Sequence, residues 1–92
     1  MLYEIIVNPE AEQDIKKHKK YGNKKLLKKI QRLLEELRQH PREGTGQVEA
    51  LKHFGDREIY SRRIDREHRL VYEIIDDQVV VILISAFGHY DS

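Results

Sequence analysis

The sequence predicts an α+β domain of order β-α-α-β-β-β, an antiparallel-rich sheet with a two-helix hairpin packed on one face. Three observations lead there. A short β-rich run, "LYEIIV", occupies residues 2–7. Two capped helical stretches follow back to back. Beyond an irregular segment, strand-like patterning returns and ends in the strongly apolar "QVVVILISA".

The first helix is read from "NPEAEQDIKKHKKYG". Asn8 serves as N-cap, Pro9 fits the first helical position, and Glu10 and Glu12 suit the positive N-terminal end. Lysines gather at the other end, where Gly22 closes the helix in left-handed geometry. Asn23 caps the second helix, "KKLLKKIQRLLEELRQH". Its Leu26, Leu27, Ile30, Leu33, Leu34 and Leu37 share one helical face, which marks them as core, and Pro41 ends it. Residues 57–64, 68–75 and 78–86 read as strands. The last is apolar on both faces and is expected to be the central, buried one. Asp76-Asp77 makes the turn before it.

At 92 residues the chain is one domain with one modest core. It has no cysteine, so it offers neither a disulfide framework nor a thiolate for catalysis or metal binding. That composition suits a reducing cytoplasm. No apolar run approaches the roughly 20 residues of a membrane span, and the N-terminus does not read as a signal peptide. His18, His40, His53 and His68 show no zinc-ligand spacing, and the G-x-G at Gly44 and Gly46 lacks the G-K-[ST] of a phosphate loop. No metal or cofactor is expected.

A net charge of +1 hides an asymmetry: residues 14–38 hold ten Lys/Arg against three Asp/Glu. Lys16, Lys17, Lys24, Lys25, Lys28 and Lys29 therefore form either a solvated helical surface or a face for a polyanion. The stretch "SRRIDREHRLVY" adds four arginines around an expected hairpin tip, more than an edge strand needs to discourage aggregation.

Glu49, Lys52, Arg63, Arg69, His89 and Tyr90 are the candidates for chemistry. Each has a bland reading, as a loop carboxylate, a solvated cation or an incidental end of chain. Together they hold the parts needed to cleave RNA without metal. A carboxylate can take the proton of a 2′-hydroxyl, an imidazolium can protonate the departing 5′-oxygen, and guanidiniums can meet the charge of the transition state.

At "GTGQVEALKH", "YSRRIDREHRLVYEI" and the terminal "HY" the chain resembles the YoeB (Txe) branch of the RelE toxin superfamily. The resemblance spans nearly the whole chain. It implies the toxin half of a toxin–antitoxin pair, a metal-independent endoribonuclease that cuts messenger RNA in the ribosomal A site. On that resemblance Glu49 is the general base, Arg69 binds the phosphate, His89 is the general acid and Tyr90 helps seat the RNA. Lys52 and Arg63 match supporting basic positions, and the lysine helices would face ribosomal RNA. The implied partners are the ribosome, the messenger and an antitoxin whose acidic, partly disordered segment covers the site. Relatives of this branch often form dimers. Tyr60 departs mildly from the usual aromatic before S-R-R, and two residues follow Tyr90. The alternatives are a non-enzymatic toxin of the same fold, such as a ParE-like gyrase inhibitor, and a plain RNA- or protein-binding module.

One register step decides which arginine joins the site. If Ile64 pairs with His68 around Asp65, Arg66 and Glu67, then Arg63 lies opposite Arg69, and Leu70 and Tyr72 turn toward the helices. That register is the one expected. It would gather Arg63, Arg69 and His89 on one concave face, with Glu49 approaching from the irregular segment.

Overall fold

Short polar side chains begin both helices as the sequence suggests. In the computed structural model, which describes residues 2–52 and 54–88, Asn8 Oδ1 accepts from the Ala11 amide at 3.1 Å, and Asn23 Oδ1 from the Leu26 amide at 3.0 Å. Strand β1 is Glu4–Val7, helix α1 Pro9–Lys20 and helix α2 Lys24–Gln39. Gly22, at φ +69°, makes the break between the helices. Strands β2 (Glu49–Ala50), β3 (Glu58–Arg63), β4 (Arg69–Ile75) and β5 (Val80–Ser85) complete the sheet.

The strand order is β1-β5-β4-β3-β2. Neighbours are antiparallel except β1, which lies parallel to β5. The two helices form one layer over the sheet. Leu26, Ile30, Leu33 and Leu37 of α2 and Ala11 of α1 pack on Leu70, Tyr72 and Ile74 of β4 and Val81 and Leu83 of β5. Leu33, Leu37, Leu70 and Leu83 are wholly enclosed. Each contributes on the order of 1.5–3 kcal/mol of burial.

The expected order gains one element. β2 is only two exposed residues, too short to show alternation, yet it pairs Glu49 with Ser61 and Ala50 with Tyr60. The middle strand is β4. The run expected to be central became β5, an interior strand between β4 and β1. β5 also starts later than expected, because Asp76–Gln78 forms a 3-10 turn that ends at Val79 in left-handed geometry.

Candidate active site

The β3–β4 hairpin sets the site. Asp65 Oδ1 accepts from the amides of Glu67 and His68, both at 2.8 Å, which closes a three-residue loop. The Ile64 amide donates to the His68 carbonyl, and Arg63 stands opposite Arg69. The expected register is the observed one.

Alternation then sorts the arginines. Arg63 and Arg69 share the face away from the helices, Arg63 exposed and Arg69 half-buried. Among the described residues Arg69 Nη1 is buried without a hydrogen-bond partner, as is the Ser61 hydroxyl on the same face. Leaving a buried donor unmatched costs on the order of 1–3 kcal/mol, which an anionic oxygen would offset.

Arg62 faces the other way and is 0 % exposed. Its Nε donates to the Tyr72 hydroxyl, Nη1 to Glu36 Oε1 and the Thr45 carbonyl, and Nη2 to the carbonyls of His40 and Glu43. The Tyr72 hydroxyl in turn donates to the Pro41 carbonyl at 2.7 Å, and burial pushes its pKa up. The Thr45 amide, and after it the Arg62 guanidinium, hold the Glu36 carboxyl below its ordinary value. One guanidinium thus gathers most of the turn between α2 and β2.

That turn delivers Glu49. The Gly46 carbonyl accepts from the Arg63 amide. Gly46 sits at φ +97°, and a Cβ there would lie 2.8 Å from the Arg63 carbonyl oxygen. A Cβ on Gly44 would lie 3.0 Å from Arg62 Nη1 and closer still to Glu36 Oε1. These two glycines therefore serve close packing against β3 and its arginine. Glu49 is exposed and directly opposite Ser61, on the face of Arg63 and Arg69. Strand geometry makes Glu49 and Arg63 diagonal neighbours, about 7–8 Å apart at the backbone. Arg69 is one strand further, about 12 Å from Glu49 at the backbone, two strand spacings across and two residues along.

The other candidates are distributed unevenly. Lys52 lies in a bend past the β2 ladder, exposed and three residues out of phase with Glu49. His89 and Tyr90 lie outside the described residues. Gly88, the residue before His89, has its carbonyl held by the Arg69 amide at 3.1 Å. Lys25, Lys28 and Lys29 line a cleft between α2 and the hairpin tip together with Arg32. Asp65 also lines that cleft, although its Oδ1 is engaged by the turn. Lys17 stands over the Phe87 ring at 5.0 Å, Lys16 pairs with Glu12, and Lys24 is simply exposed. The six lysines are not one uniform face. Among the described residues no group of His, Asp or Glu is arranged to hold a metal ion.

A further cluster escaped sequence reasoning. His18 and Asp14 of α1 are buried, and both contact the chain just after β5. The available signal was a histidine and an aspartate four residues apart on a helix otherwise crowded with lysine.

Comparison with known proteins agrees with this arrangement. The sequence model for YoeB-like toxins of bacterial type II toxin–antitoxin systems matches residues 8–90. Toxin YoeB of Escherichia coli strain K12 is 44% identical over 59 residues, covering 64% of this chain and 69% of that protein. The YoeB dimer from Staphylococcus aureus superposes with a TM-score of 0.81 at 37% identity, over 98% of this chain and 100% of that one. The heterotetrameric YoeB–YefM toxin–antitoxin complex from the same organism gives 0.76 at 38% identity, over the same shares of the two chains. The chain belongs to the YoeB-like toxins of bacterial type II toxin–antitoxin systems.

Proposed function

We propose that this toxin is a metal-independent, ribosome-dependent endoribonuclease that cuts messenger RNA in the ribosomal A site and so stops translation. The observation that carries the reading is the hairpin register. It sets Arg63 opposite Arg69 on the face that Glu49 joins, with a buried nitrogen of Arg69 left unmatched among the described residues.

The steps follow from the chemistry of these groups. Glu49 accepts the proton of a 2′-hydroxyl, whose oxygen attacks the adjacent phosphorus. The bond from phosphorus to the 5′-oxygen breaks, and His89 gives that oxygen a proton. The products are a 2′,3′-cyclic phosphate and a 5′-hydroxyl. Arg69 meets the charge that builds on the phosphoryl oxygens, with Arg63 and Lys52 in support. Tyr90 seats a base. The chain has two Phe, five Tyr and no Trp, few platforms for splaying RNA unaided. The ribosome therefore supplies the orientation of the substrate.

Lys25, Lys28 and Lys29, beside the hairpin tip, are the lysines best placed to touch ribosomal RNA, and Lys17 stands near the chain end. We also propose an antitoxin whose acidic, partly disordered segment screens Arg63 and Arg69, and a homodimer like that of the staphylococcal relative. The test is to map messenger 5′ ends on ribosomes halted with a defined A-site codon. The wild-type chain should cut at that codon. Glu49→Gln, at an exposed position, should fold normally and cut about 100-fold more slowly or worse. A wild-type chain that leaves the messenger intact while still blocking growth would favour a non-enzymatic toxin.

A further inference from the structure

The face that carries Glu49, Arg63 and Arg69 changes character at Ser61. Ile59 and Val71 share that face and are buried and apolar. Ser61 comes next, directly across from Val71 on one side and from Glu49 on the other. It is buried too, and its hydroxyl has no hydrogen-bond partner among the described residues. Alanine or valine would continue the apolar stretch with no donor left over, and valine suits a strand better. A buried polar group that the fold leaves unmatched calls for a reason outside the fold.

The nearest reason is one strand away. Arg69 pairs with Arg63, two residues from the pair of Ser61 with Val71. Ser61 and Arg69 are therefore diagonal neighbours, about 7–8 Å apart at the backbone, within the reach of a long side chain. Arg69 Nη1 is likewise buried and unmatched among the described residues. A hydroxyl can accept as well as donate, so these two groups could have satisfied each other, and they do not.

We propose that Ser61 is a second phosphate ligand of this toxin, its hydroxyl and Arg69 Nη1 donating to the same non-bridging oxygen of the scissile phosphate. The proposal rests on the reading of Arg69 as the phosphate-binding residue. An anionic oxygen accepts several donors at once, and each bond to it strengthens as charge builds in the transition state. Glu49 and Arg63, the exposed neighbours of Ser61 on that face, are long side chains able to stand aside for the phosphate. Ser61 gives a hydrogen bond only, and the 2′-hydroxyl remains the nucleophile.

Ser61→Ala separates this role from a structural one, because the two pull in opposite directions. Removing an unmatched buried hydroxyl should leave Tm equal to that of wild type or higher. Cutting of messenger in the A site should nevertheless fall about 10-fold or more, the scale of a lost bond to a charged oxygen, and the loss should lie in kcat rather than KM. Sulfur is a poor acceptor, so messengers with one phosphorothioate at the scissile position, tested as separate diastereomers, identify the oxygen. Wild type should cut one diastereomer more slowly than the other, and that difference should shrink in Ser61→Ala. Inorganic phosphate, followed by NMR at the Ser61 amide and the Arg69 side chain, gives a readout without cleavage. Ser61→Ala should bind it at least about 3-fold more weakly. A Ser61→Ala chain that is less stable, one that cuts at the wild-type rate, an unchanged diastereomer ratio or unchanged phosphate binding would each overturn the proposal. If no chain cuts messenger but phosphate binding weakens in Ser61→Ala, the ribonuclease reading fails and the second ligand stands.

Discussion

Replacing Arg62 with methionine should cost far more than replacing any other arginine of the hairpin. The guanidinium is wholly buried and donates five hydrogen bonds, to a tyrosine hydroxyl, a carboxylate and three carbonyls. Bonds to a charged group are worth about 1.5–3 kcal/mol each, but adding five such values would overshoot. Glu36 is 27% exposed and keeps its bond from the Thr45 amide, and Glu43 and Thr45 are exposed, so much of the set can turn to water. The relevant scale is the loss of one partner from a buried ion pair, about 3–5 kcal/mol. For a domain under 100 residues this lowers Tm by at least about 12 °C. Urea unfolding followed by circular dichroism measures it directly. Arg66→Met, in the exposed hairpin loop, is the control and should stay within about 0.5 kcal/mol of wild type. Arg62→Lys should rescue little, because an ammonium cannot reach acceptors spread around a planar fork. An Arg62→Met loss below about 1 kcal/mol would refute the account of the turn between α2 and β2.

Reversing Lys25, Lys28 and Lys29 should weaken ribosome binding and flatten its dependence on salt, while turnover of messenger already bound changes little; an unchanged slope returns these lysines to plain solvation. Acid should destabilise the fold in a defined window. Glu36 is held below its ordinary value first by the Thr45 amide, and Asp76 first by the Tyr3 hydroxyl and then by Arg42. Their stabilisation is present above the unfolded carboxylate range, near pH 4, and lost as pH falls through the folded values. Urea midpoints should be level from pH 7 to 5 and drop below about pH 4, less so in Asp76→Asn; a level midpoint down to pH 3 contradicts the pairing. Gly46→Ala should cost about 1–3 kcal/mol from its positive φ and its crowding against Arg63, and should slow cleavage further by loosening β2. Equal stability and rate would show that β2 does not depend on this approach.

Much of this architecture was legible because local rules agreed. The asparagine caps, the leucine face of α2 and the alternation of the hairpin each named a face or a boundary before any packing was known. The register was readable for a sharper reason: only one choice put Leu70 and Tyr72 toward the helices. β2 was not readable, since two exposed residues carry no period, and their pairing depends on a turn organised by a distant arginine. Arg62 looked like one more cation in a basic run. Alternation turned it inward, but three of its five acceptors are carbonyls, which no side-chain pattern announces. The contacts of His18 and Asp14 with the chain just after β5 stayed hidden for the same reason, because their partners are backbone groups brought close only by the fold.

The most direct test of the mechanism is a messenger carrying a single 2′-deoxynucleotide 5′ to the scissile phosphate, presented in the A site of an otherwise identical ribosome complex. If Glu49 acts by drawing a proton from that 2′-hydroxyl, the deoxy messenger has no nucleophile. It should remain intact for as long as the all-ribose messenger takes to be cut to completion, with toxin bound equally to both. Cutting at the same bond and a similar rate in both messengers would contradict the account, because the attacking oxygen would then have to come from elsewhere.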